Sequence, residues 1–176
     1  MIFVGIVVLT LALVLSGCTD NGKDDGTDSQ PETVTMNAQE FGEDMKFEML
    51  ETSMKTYFVS LDDGDILIFQ DEIAEISYDE TTDITTIEFE YSQGEGEGTY
   101  TSTTQFIFDG DLTGEYSIGD EVKITVTIKH VTVTIQGMTL DMEIYEEYWV
   151  SEQYFTENYM TGNPYQALSA EKITKV

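Results

Sequence analysis

Residues 119–149, GDEVKITVTIKHVTVTIQGMTLDMEIYEEYW, constrain the fold more than any other stretch. After a Gly-Asp turn signal, Val122, Ile124, Val126 and Ile128 share one face, opposite Lys123, Thr125, Thr127 and Lys129. Period-two alternation of β-branched residues predicts a half-buried strand. A tight break at Gln136-Gly137 precedes a second alternating run, Met138, Leu140, Met142 and Ile144, so the stretch reads as a β-hairpin. The apolar set changes phase near His130, because the next members are Val131, Val133 and Ile135. A one-residue slip turns every side chain to the other face, so a bulge or corner is expected there.

The rest of the chain adds a charge constraint. Thirty-five acidic residues stand against seven basic ones, all lysine, for a net charge of −28. Nucleic-acid binding draws most of its affinity from phosphate contacts with a basic face, which this composition cannot build. DNA, RNA and anionic headgroups are repelled alike. A solvated, aggregation-resistant surface is the plain reading of the charge; a reservoir for cations or an adaptation to high salt is the sharper one. The single cysteine, Cys18, rules out an internal disulfide, and the single histidine, His130, rules out a site built on two imidazoles. The fold therefore rests on its apolar core.

Residues 1–17 are almost wholly apolar and carry no charged side chain, and they close on Leu15-Ser16-Gly17-Cys18. This resembles a prokaryotic lipoprotein signal: a Leu, a small residue and Gly before the cysteine, at the end of an apolar segment and the start of a polar one. The resemblance implies cleavage before Cys18, a lipid on its sulfur, and a domain held at the extracytoplasmic face of the cell membrane. The basic stretch that usually opens such a signal is absent, Lys23 being the first cation. An uncleaved anchor is the alternative, since the apolar segment sits at the lower limit for spanning a bilayer. Residues 18–32 then form a Gly-, Asp- and Ser-rich tether with almost nothing apolar to bury.

Beyond the tether, Asn37 caps a short helix with Phe41 and Met45 on one side, which Gly42 weakens. Residues 47–55 are ambiguous, and Tyr57-Phe58-Val59 is a short strand. The turn Asp62-Asp63-Gly64-Asp65 introduces a long strand over 66–78. Strands over 84–91 and 100–108 follow, flanking a loop at 94–98. Residues 33–61 are thus an N-terminal extension, 62–149 the β-domain, and 150–176 a cover segment with a short helix or irregular chain and a break at Asn163-Pro164. The order of five strands, with the turn dipeptides Gly64-Asp65 and Gly119-Asp120, resembles an OB-fold barrel. The resemblance implies a mainly β, antiparallel five-stranded barrel with short flanking helical segments. The helix usual between the third and fourth strands has no room in 109–120, and the basic groove of nucleic-acid-binding members is missing. Acidic surface lipoproteins of archaea and bacteria, themselves uncharacterised, are similar in general plan.

Two constellations are chemically suggestive. Asp109, Asp111, Thr113, Glu115, Ser117 and Asp120 place oxygen side chains at positions 1, 3, 5, 7, 9 and 12 of a loop with Gly114 at position 6. The spacing resembles an EF-hand and implies calcium, although position 12 is Asp and the flanks read as strands; a plain strand connection is the competing reading. The second constellation is aromatic: Tyr145, Tyr148, Trp149, Tyr154, Phe155 and Tyr159, beside Glu146, Glu147 and Glu152. Rings beside carboxylates hold a sugar or another neutral ligand; alternatively, the rings plug the end of the domain. Catalysis has little behind it. His130 has no nucleophile motif near it and reads as a bulge or core residue, and no phosphate loop, zinc spacing or dinucleotide fingerprint occurs. The expected role is non-enzymatic binding or scaffolding for a protein or glycan partner, with a calcium-stabilised structural domain next and a carboxylate-based hydrolase more distant.

Overall fold

Capping and turn residues decide where each element begins. The computed structural model describes residues 30–93 and 100–176; the apolar leader, Cys18, most of the tether and the 94–98 loop expected from sequence lie outside the described residues. In chain order the elements are β1 (Thr33–Met36), α1 (Ala38–Asp44), β2 (Met45–Met49), β3 (Ser53–Phe58), β4 (Ile66–Glu72) and β5 (Glu75–Asp79). Then come β6 (Ile84–Gln93), β7 (Tyr100–Asp109), β8 (Glu121–Ile135), β9 (Met138–Tyr145), α2 (Glu152–Tyr159) and β10 (Ile173–Lys175).

The protein is mainly β, but the expected five-stranded antiparallel barrel is not what forms. Among the described residues, seven strands make a curled mixed sheet in the order β1-β4-β8-β9-β3-β2, with β10 also on β8, and β5-β6-β7 make a separate antiparallel sheet. Two pairs, β1 with β4 and β3 with β9, are parallel. Residues 33–61 are therefore part of the main sheet. The strand expected over 66–78 is two strands in different sheets: Ile73 and Ala74 leave the β4 ladder, where the Ile73 N–H bonds the Asp120 carbonyl and the Ala74 N–H bonds Glu88.

The β8–β9 hairpin forms as its pattern predicts. Gln136 and Gly137 both take positive φ (52° and 87°), the primed turn that matches strand twist. The phase change at His130 is a change of buried face, not a slip within β8. β8 keeps an unbroken register with β9 from Ile128 to Ile135. The extra residue sits on the chain opposite: the Gly64 N–H (φ +91°) bonds the Ile128 carbonyl, while the Ile128 N–H bonds the Asp65 carbonyl. Two residues thus oppose one, a bulge led by a left-handed glycine. Beyond it, β8 changes both its neighbours and its buried face. Val122, Ile124, Val126 and Ile128 belong to a core with Phe69, Phe89, Phe106 and Tyr145; Val131 and Val133 belong to a second core with Leu140, Met142 and Phe155.

The helix α1 closes the first core. Asn37 and Glu40 form a reciprocal capping box, and the Ala38 N–H is taken by Asp71 Oδ2 at 2.8 Å. Gly42, a poor helix former, has a packing reason: a Cβ there would stand 2.3 Å from Tyr91 Cε2. Phe41 is buried, whereas Met45 begins β2 and is 40 % exposed. In the cover segment, Ser151 caps α2, whose Phe155 seals the second core, while Leu168 bridges β7 and β10 joins β8.

With so few cations, the carboxylates serve as backbone acceptors. Asp65 takes the N–H groups of Glu32 and Asp62, and Asp44 those of Val59 and Ser60. The half-buried N–H groups of Glu32 and Asp62 need such a partner, while those of Val59 and Ser60 are exposed, and in each case a short acidic side chain supplies the acceptor without a cation.

Candidate functional site

The two cores meet at a cleft. Its lining comes from Phe41 of α1, Met45 of β2, Met54, Thr56 and Phe58 of β3, and Met142 to Tyr145 of β9, with Tyr148 and Tyr165 completing it. The cleft has a volume of about 240 Å³. Alternation aims Met54 and Thr56 of β3 and Met142 and Ile144 of β9 to one face, with Met54 paired to Leu140 and Thr56 to Met142 in parallel register, while Glu143 and Tyr145 belong to the other face of β9 and border the cleft at the strand's end. Three thioethers and several rings make the wall apolar and deformable. Polar character is confined to Thr56, Glu143 and the tyrosine hydroxyls.

The aromatic residues expected as a ligand patch are divided by the fold. Tyr145 is 8 % exposed and stacks on Phe106 with centroids 5.3 Å apart. Tyr148 packs edge-on to Tyr145 at 5.0 Å, and its hydroxyl accepts the Ile107 N–H at 3.1 Å. Burial pushes both phenols above their ordinary pKa, so they stay neutral. Trp149 lies against Phe155 at 5.7 Å in the second core, and Tyr154 is half-buried on α2. Thus Tyr145 and Tyr148 reach the cleft, while Trp149 and Tyr154 are not among its lining residues. The methionines and the residues of β3 were missed, because their contribution depends on the parallel β3–β9 pairing.

Glu143 is the one carboxylate in the cleft wall. Burial raises its pKa above the ordinary range, against the pull of the Phe58 N–H, which donates to Glu143 Oε2 at 2.6 Å. On the polar face of the same ribbon, His130 pairs with Asp141, and its backbone N–H donates to Asp63 Oδ1 at 2.7 Å. His130 is exposed, so the expected bulge or core placement is corrected: the extra residue lies on the opposing chain at Gly64, and His130 is left on the solvated side.

The 109–120 loop is a strand connection anchored by buried Leu112 and Tyr116. Asp111 Oδ1 accepts both the hydroxyl and the N–H of Thr113, which lowers the Asp111 pKa. Asp120 Oδ2 meets Lys175 Nζ at 2.7 Å and the Ser117 N–H at 2.8 Å, and these lower its pKa in that order. Asp109 and Glu115 are exposed. Among the described residues, no group of three or more His, Cys, Asp or Glu side chains is gathered to hold a metal ion.

No protein-family model matches the chain, and no curated protein is similar to it. The functional reading therefore rests on the site. Among the described residues, no helix is long and apolar enough to cross a membrane.

Proposed function

We propose that this chain is a membrane-anchored extracytoplasmic lipoprotein whose domain binds, without catalysis, an apolar group presented by a protein partner. The observation that carries the binding reading is the open cleft of Phe41, Met45, Met54, Phe58 and Met142, walled by Tyr145, Tyr148 and Tyr165. A space of about 240 Å³ suits one ring or branched side chain rather than a whole ligand. Sugar recognition would need broad ring faces open to solvent; Tyr145 and Tyr148 spend theirs on Phe106 and on each other. The charge of −28 selects a neutral or cationic partner and repels anionic ones.

Methionine-methyl NMR tests the cleft. Neutral indole or isoamyl alcohol, titrated to millimolar concentration, is expected to shift the methyls of Met45, Met54 and Met142 and to spare Met160, which is 73 % exposed and outside the cleft. Thr56→Trp should fill the cleft and abolish the shifts. Equal movement of all methyls, or none, would remove the binding reading.

The anchor is tested separately, by intact mass of the protein from native membranes. The expected product begins at Cys18 and carries two lipid chains or more, because a single acyl chain holds only marginally. A mature chain retaining residues 1–17 would replace the lipoprotein by a membrane-anchored protein.

A further inference from the structure

The strand β2 ends the main sheet, and all five of its residues are exposed. The Leu50 N–H bonds the Ser53 carbonyl and the Val59 N–H bonds the Asp44 carbonyl. In an antiparallel ladder the inward-bonding residues alternate, so Lys46 and Glu48 spend their peptide groups on β3. Met45, Phe47 and Met49 then direct theirs outward, where no strand pairs among the described residues; of these groups, the Met45 N–H is held by Phe41. The same three side chains form an apolar row, 40 %, 59 % and 63 % exposed. An unpaired edge with an exposed apolar row invites another strand, and the charged Lys46 and Glu48 guard it only against strands they do not complement.

We propose that β2 pairs antiparallel with β2 of a second copy, about a two-fold axis at Phe47. The sequence MKFEM is self-complementary in that register. Phe47 faces its symmetry mate, Met45 faces Met49, and Lys46 faces Glu48, twice. Opposite charges directly across strands stabilise pairing and like charges oppose it. The existing ladder extends the pattern: Glu48 already lies opposite Lys55, and Lys46 opposite Tyr57. A charge-alternating row would run through the joined sheets on one face, and on the other Met54, Thr56 and Phe58 would continue the apolar row. The groups available give four main-chain hydrogen bonds: two between the Phe47 residues, and one from each Met49 N–H to the Met45 carbonyl of the other copy.

The two edges of the smaller sheet lack this property. Self-pairing of β5, EISYD, would set Glu75 against Asp79. The edge of β7 is covered where Ile107 and Asp109 bond Leu168 and the Tyr148 hydroxyl meets the Ile107 N–H. The net charge opposes self-association, but at physiological salt such repulsion is screened beyond about 8 Å, whereas the Lys46–Glu48 pairs would be in contact.

The test is cysteine cross-linking of the full chain in membranes. Directly opposed residues of a hydrogen-bonded pair have Cα atoms about 5.5 Å apart, within disulfide reach. Phe47→Cys is expected to form a link between two introduced sulfurs, identified by peptide mass because Cys18 is retained. Its yield should exceed that of Met160→Cys, an exposed control, by about tenfold or more. Adding Lys46→Glu or Glu48→Lys to Phe47→Cys makes both cross-strand pairs like-charged and should lower the yield about tenfold. Co-expressing the two charge variants restores opposite charges between, but not within, the two kinds of chain, so cross-linking should return as mixed dimers. Phe47→Cys no more reactive than Met160→Cys, or charge variants that link as well alone as together, would overturn the proposal.

Discussion

Ile124→Asp is expected to abolish the folded state, while Thr125→Asp next to it leaves the protein folded. Ile124 is fully buried in the first core, against an exposed Thr125. The substitution forfeits roughly 1.5–3 kcal/mol of side-chain burial. It also buries a carboxylate, at an effective cost of several kcal/mol. Against a total stability of about 5–15 kcal/mol, the sum leaves little or nothing. Past Ile128 the parity reverses: Val133→Asp should unfold the protein, and Thr134→Asp should be tolerated. Circular dichroism melts of the four variants check this. Tolerance of Val133→Asp with unfolding by Thr134→Asp would mean that β8 keeps one buried face along its whole length.

Phe69→Ala should be the costliest simple truncation. The Phe69 ring is fully buried and lies 4.7 Å from Phe89, 4.9 Å from Phe106 and 5.8 Å from Phe41, measured between centroids. It therefore joins β4 to the three-stranded sheet and to α1 at one point. Such deletions cost about 3–5 kcal/mol when the surroundings cannot collapse, and rings from three other elements leave little room for collapse here. Urea denaturation should show the midpoint falling with little change in slope. A loss under about 1 kcal/mol would mean that the two sheets are not locked through this cluster.

What the sequence made legible follows from the range of each interaction. The hairpin at 119–149, the turn at Gly64-Asp65 and the Asn37 cap are local events, written in adjacent residues, and all three form. The parallel pairings are not local. β1 is four residues long and meets β4 thirty-odd positions later, and β3 meets β9 across the whole middle of the chain. Nothing in TVTM or SMKTYF names its partner, so residues 33–61 read as an extension outside a five-stranded domain. The shift at His130 was visible as a pattern. Its cause was not, since the second core that buries the other face of β8 is completed by Phe155, far along the sequence.

The candidate site divides in the same way. Tyr145 and Tyr148 stood out as a cluster, but whether a ring faces solvent or stacks on Phe106 depends on a strand from elsewhere. In the 109–120 loop the oxygen spacing was real, yet Asp111 turns back on Thr113 and Asp120 answers Lys175 of β10. Short acidic side chains in a chain poor in cations find local N–H and hydroxyl donors first.

The measurement that bears most directly on the proposed function is photo-cross-linking in intact cells. Tyr165 lines the cleft, and replacing it with azidophenylalanine keeps a ring in the wall; the same replacement at Tyr100, 59 % exposed on β7 and outside the cleft, is the control. The expected result is an adduct with one other protein from position 165, absent from position 100 and lost when Thr56→Trp fills the cleft. No adduct from position 165, or the same adducts from both positions, would contradict a binding role for the cleft.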